Sequence, residues 1–284
     1  MRNALEVMTQ FIYCKVQIEI EMIFEMSEDL RRKNISEAKD TFEFFAEIMD
    51  SELANSVSWD PQKNREERTK LVLAVMSYWR LAKGEYVFLD KRHLESVVNF
   101  WKEWKNFAEE KYIEEISTWI RTYVERLKHK KELGEIGERF VDLSSSFFTV
   151  PINFSFILEY EASPYWSAII YDFRKLLNVL APVKAGIFHL PKLFSTSKVW
   201  VPDEETGEIK WEDKFLDSSK PDELIEDMKN ELKLNEVEHP NTVYLIILIH
   251  LQTEKRVNLH GYLLWRETTS EVKSEKLNAR KASD

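Results

Sequence analysis

At 284 residues, with 44% hydrophobic and 32% charged content, the chain can build one large domain or two small ones around a real core. Its single cysteine, Cys14, excludes an internal disulfide and a cysteine-based zinc site and reads as a small buried apolar group. A formal net charge of −10 argues against broad binding to nucleic acid or anionic lipid. No apolar run is long enough to span a bilayer, and the N-terminus lacks a basic stretch followed by an apolar core, so a cytoplasmic protein without membrane contact is expected. The Lys- and Glu-rich balance is the bias reported for proteins of hot environments.

The first 108 residues read as an all-helical region. Apolar residues from Leu5 to Met26 lie on more than one side of a helix over 4–31. A second helix is predicted to start at Ser36, with Phe42, Phe45, Ile48 and Leu53 on its apolar side. Asp60-Pro61 reads as the start of a third, which stops at Gly84. Tyr86 to Leu89 reads as a short isolated strand, and Asp90 to Leu133 is a long aromatic-rich pattern expected to form two helices that pack rather than cage a ligand.

After Gly134 the pattern changes to strands. Glu138–Phe148 and Ile152–Glu161 are predicted to pair as a hairpin. In the second of these, Phe154, Phe156, Leu158 and Tyr160 share one face, and Ile157, Glu159 and Glu161 the other. Ser163-Pro164 reads as the cap and first residue of a helix to Leu180, followed by a buried strand at Val183–Leu190 and hence a parallel crossover. Lys198–Phe215 reads as a hairpin with Val199, Trp200 and Val201 facing Ile209 and Trp211. Pro221–Leu234 is a helix, and Val243–Leu251, the most hydrophobic strand, is expected at the centre of the sheet. Arg256–Arg266 is the last predicted strand, and 268–284 reads as a disordered tail.

Chemistry is most plausible where acids converge. Asp142, Glu159 and Glu161 fall on adjacent predicted strands, and three carboxylates so placed can hold Mg²⁺, polarise a phosphodiester and activate water. Glu159 and Glu161 equally suit the solvent side of an edge strand. The six histidines lack metal-ligand spacing, and no nucleophile elbow, phosphate-binding loop or dinucleotide fingerprint occurs.

Over roughly residues 110–260 the chain resembles the PD-(D/E)XK, or restriction-endonuclease-like, superfamily. That family's core is a helix, a three-stranded meander, a crossover helix and a further strand, with an Asp on the second strand and acid-x-Lys on the third. Arg139-Phe140-Val141-Asp142 matches the first motif, and Glu159-Tyr160-Glu161 the second with Glu in place of Lys. The resemblance implies an α+β protein, its helical region at 1–108 followed at 109–267 by a restriction-endonuclease-like α/β domain with a mixed central sheet. It implies a Mg²⁺-dependent DNA nuclease, or a degenerate relative, with Asp142, Glu159 and Glu161 on the metal.

A glutamate at 161 cannot stabilise phosphorane-like charge as the family's lysine does. Some members move that lysine to the following helix, which nominates Lys175. It lies eleven residues beyond Pro164, about 16 Å along a helix axis, more than a lysine side chain spans. From Ala162 to Trp200 the cations Arg174, Lys175, Lys184, Lys192 and Lys198 face a single acid, Asp172, a basic strip suited to DNA. The competing expectation is a non-catalytic protein, such as one from a mobile element of a thermophile, whose helical region serves homo-oligomerisation or partner binding.

Overall fold

The computed structural model describes residues 27–60, 63–89, 93, 96–97, 99–100, 143–146, 154–202, 209–235, 241–268 and 271–278. Among them are helices α1 (27–49), α2 (Glu52–Asn55), α3 (Arg65–Ala82), α4 (Trp166–Leu177) and α5 (Pro221–Leu234). The strands are β1 (Tyr86–Leu89), β2 (Leu143–Ser146), β3 (Phe156–Glu161), β4 (Val183–His189), β5 (Phe194–Pro202), β6 (Ile209–Asp217), β7 (Val243–Thr253), β8 (Arg256–Arg266) and β9 (Val272–Leu277).

Seven strands form one mixed sheet in the order β1-β2-β3-β4-β7-β8-β9, so the class is α+β. Strands β1, β2 and β3 are an antiparallel meander; β3, β4 and β7 are parallel; β8 and β9 return antiparallel. Strand alternation then sorts the side chains into two cores. Phe156, Leu158, Ala185, Ile187, Leu245 and Ile247 pack with Phe42, Phe45 and Leu71 of α1 and α3. Ile157, Phe188, Ile246 and Leu248 pack with Phe173 of α4 and Met228 of α5. The result is three layers, helices on both faces, which is why β4 and most of β7 are buried without alternation. Strand β7 is interior, as its composition predicts, while β4 holds the middle position.

Several local expectations are overridden by tertiary contacts. Helix α1 runs through Ser36 without a break, because Asn34 is buried and its Nδ2 donates to the Asn241 carbonyl at 2.8 Å. Helix α3 starts at Arg65 rather than at Asp60-Pro61, after Asn64 in the left-handed region (φ 47°). The Asp60 carbonyl turns instead to the fully buried Arg68 guanidinium, which also binds the Ser58 and Lys63 carbonyls. Helix α4 starts at Trp166 rather than Pro164, since the Pro164 carbonyl accepts from the Ser195 hydroxyl of the β5–β6 hairpin. The segment read as a disordered tail supplies β9, paired along β8 from Gly261–Leu277 to Arg266–Val272. The β5–β6 hairpin forms as predicted and is longer, reaching from Phe194–Asp217 to Pro202–Ile209. Residues 1–26 and 101–142, which carry Cys14, much of the aromatic helical pattern and Asp142, lie outside the described residues.

Gly84 does end α3 as predicted. At φ 79° it lets its own N–H reach the Leu81 carbonyl at 2.9 Å and the Glu85 N–H reach Arg80 at 3.1 Å, the Schellman pattern. That turn swings Glu85 back onto Arg80, and Arg80 also binds Glu37 of α1.

On the α1–α3 face, Tyr160 Oη lies 2.8 Å from His189 Nε2, and Trp59 stacks on the imidazole at 5.9 Å. Burial, with the Arg68 charge adding, pushes His189 down from 6.5 to about 3. The folded state thus holds the neutral ring, and unfolding frees it to protonate at the ordinary value. Its stabilising contribution is whole above about pH 6.5 and lost as pH falls toward 3. His189→Gln is expected to flatten the decline of unfolding free energy over that window, read by urea titrations. An unchanged slope would assign acid sensitivity to other groups.

Candidate active site at the end of strand β3

Glu159 and Glu161 alternate with Leu158 and Tyr160, so both carboxylates turn to the α4 layer at the carboxyl end of a parallel strand. That edge is where open α/β sheets generally place ligands. Glu159 is 1% exposed and sits in register with Gly186 of β4. Gly186 has no room for a side chain: a Cβ there would stand 2.5 Å from the Phe188 ring. The Phe188 ring thus packs over Gly186, filling the sheet face next to Glu159.

The crossover explains how Lys175 reaches this point. Strands β3 and β4 are parallel, so α4 must run back along β3 to deliver the chain to Val183, which pairs with Phe156. Length along α4 is therefore travel toward Glu159 and not away from the acids. Lys175 Nζ lies 3.2 Å from Glu159 Oε2 and 2.7 Å from Asp172 Oδ1. The expected shortfall in reach is corrected: the geometry closes. Burial works against the ammonium charge, but the Asp172 hydrogen bond and the Glu159 charge outweigh it and hold Lys175 above its ordinary value.

Glu161, at the strand end, accepts from the Ser163 N–H at 2.6 Å and from Arg65 Nη2 at 3.1 Å. The Ser163 bond shapes the turn into α4 and replaces the helix cap expected at that residue. Burial pushes the Glu161 carboxyl up, and Asp172, within hydrogen-bonding reach, adds to the rise against the pull of Ser163 and Arg65. Three carboxylates (Glu159, Glu161, Asp172) thus face two cations (Lys175, Arg65) around one corner of the sheet.

Of the predicted site residues, Glu159, Glu161 and Lys175 are brought together. Asp142, one residue before β2, lies outside the described residues. Among the described residues no group of three or more His, Cys, Asp or Glu is arranged to hold a metal ion. The carboxylate oxygens are nonetheless the hard donors that Mg²⁺ takes, and a divalent cation would relieve the crowding of Glu161 on Asp172. Two contributors escaped the sequence reading. Asp172 was legible as a helical i,i+3 partner of Lys175, whereas Arg65 comes from 96 residues upstream with no local signal.

The five cations do not form one free basic strip. Lys184 is buried, 1% exposed, with Nζ 3.0 Å from Tyr244 Oη. Arg174 is engaged bidentately by Glu231 of the acidic helix α5 at 2.8 and 2.6 Å, and Lys175 by the site acids. Lys192 and Lys198 alone of the five are exposed without a described ion pair of that kind. The reason is the helix layer: α5 packs beside α4 and sets Glu231 against Arg174. Among the described residues no helix is long and apolar enough to cross a membrane.

In comparisons with known proteins, no family model matches this chain, and no curated protein or solved structure does either.

Proposed function

We propose that this protein is a metal-dependent nuclease acting on DNA, or a degenerate relative retaining that fold, of the PD-(D/E)XK type with its lysine relocated to the crossover helix. The observation that carries the reading is the 3.2 Å contact between Lys175 Nζ on α4 and Glu159 Oε2 on β3. It restores an acid–lysine pair where the sequence has Glu161 in the lysine position. The antiparallel meander β1-β2-β3, the crossover helix α4 and the parallel strand β4 follow the family's order of elements. Asp142, Glu159 and Glu161 would hold Mg²⁺, which when bound supplies charge stabilisation and a nucleophilic water. The chain's own part is to fix the carboxylates, Glu161 through the Ser163 N–H and Glu159 through Lys175.

Plasmid and oligonucleotide cleavage with Mg²⁺ or Mn²⁺ tests this. Glu159→Ala is expected to lower the rate about 10³-fold, because several kcal/mol of charge stabilisation are removed at about 1.4 kcal/mol per decade. Absence of metal-dependent cleavage by the wild type, or cleavage indifferent to the substitution, would sink the nuclease reading.

A second reading, a non-catalytic partner-binding or oligomerising protein, is favoured by the outward face of the β5–β6 hairpin. Phe194, Trp211 and Phe215 share that face and are each more than half exposed. Inert wild-type protein whose self-association is lost in Trp211→Ser would favour it.

A further inference from the structure

We infer that Arg65 is the phosphate-binding residue of this site, held in place by Glu161; the inference rests on the nuclease reading and names the group that meets the substrate backbone. Glu161 occupies the position at which a nuclease of this kind would present a cation, and a carboxylate there repels phosphate. The structure supplies the missing charge from elsewhere: Arg65 Nη2 lies 3.1 Å from Glu161 Oε1. The two partners are unlike. The Glu161 side chain is 12% exposed and the Arg65 side chain 65%, so the carboxylate is the anchor and the guanidinium faces solvent. Among the described residues the contact to Glu161 is the one hydrogen bond of that guanidinium.

The other cation of the site is committed differently. Lys175 is 27% exposed and bridges Glu159 and Asp172, so it neutralises the acids from inside. Arg65 is the cation at the mouth. As the first residue of α3, it stands on a rigid element packed into the core through Leu71, Val72 and Val75. A guanidinium fork can keep one N–H on a carboxylate while others bind phosphate oxygens, which an ammonium does less well. The site would then draw its anion-binding group from the helical half and its acids from the sheet.

The test is fluorescence-anisotropy binding of a fluorescein-labelled DNA duplex to the full chain in EDTA, across a salt series, beside cleavage assays with Mg²⁺. Arg65→Ala is expected to weaken binding about tenfold and to reduce the slope of log affinity against log salt by about one, the signature of one lost phosphate contact. Arg65→Lys should keep the wild-type slope and recover part of the affinity. Because Arg65 is exposed, its variants fold, and thermal melting checks this. Unchanged affinity and slope in Arg65→Ala, or no binding by the wild type, would overturn the inference. Arg65-dependent binding without cleavage would uphold it and reject the nuclease reading, while cleavage indifferent to Arg65→Ala would do the reverse.

Discussion

Arg80→Ala is expected to destabilise the protein by about 3–5 kcal/mol, the cost of breaking a buried ion pair rather than of losing a surface pair. Arg80 and Glu85 are each 2% exposed, and the Arg80 guanidinium sits 4.6 Å over the Phe156 ring at the start of β3. Without it, the Ser155 hydroxyl at 2.8 Å still reaches Glu85 and Lys83 at 2.6 Å still reaches Glu37. Neither donor replaces a bidentate guanidinium. Burial pushes the Glu37 carboxyl up, yet bonds from Lys83 and Arg80 outweigh it and hold that group below its ordinary 4.5. Stability from Glu37 is therefore present above about pH 4.5 and lost as pH falls through the lowered value. Urea denaturation near neutral pH measures the effect. Lys63→Ala, at a pair with both side chains more than half exposed, is the control and should cost about 0–1 kcal/mol. Similar losses in the two variants would mean that water reaches Arg80.

Lys175→Met is expected to cost about 2–3 kcal/mol, less than a fully buried pair because the lysine is 27% exposed. It takes the ammonium from Glu159, which is 1% exposed, and deprives Asp172 of its 2.7 Å partner. Lys175 has a raised folded value, so its contribution is complete below its ordinary 10.5 and is lost only as pH rises past the folded value. The wild type should show no lysine-linked change around neutrality. Glu159→Gln combined with Lys175→Met should recover much of the loss, since an amide buried beside a thioether carries no uncompensated charge. Additive losses in the double variant would show that the two side chains do not act as a pair.

The sequence alone determined which residues share a face. Alternation in Phe156–Glu161 put Phe156, Leu158 and Tyr160 in one core and Glu159 and Glu161 toward the opposite layer. A side-chain period of two leaves no other choice in a buried strand. The Val183–His189 strand, the β5–β6 hairpin, the α5 start at Pro221 and the Gly84 stop were legible for similarly local reasons: proline geometry, glycine at positive φ and apolar continuity. Helix starts were less so. Ser163 and Asp60 have good capping chemistry, but the Glu161 carboxylate takes the Ser163 N–H and Arg68 takes the Asp60 carbonyl. Strand β9 carries too little apolar content to announce itself; backbone pairing with β8 makes it a strand.

Only the tertiary structure decided what surrounds the acids. A lysine sixteen residues after Glu159 reaches it because parallel pairing forces α4 to run back along β3. A basic run in sequence does not stay a free strip because Glu231 of α5 pairs with Arg174 and Lys184 turns into the core. Arg65 meets Glu161 across 96 residues of chain because the α1–α3 layer and the sheet share one hydrophobic core. Periodicity reports on neighbours along the chain, whereas the charge partners of Glu159 and Glu161 are chosen by the path of the chain in space.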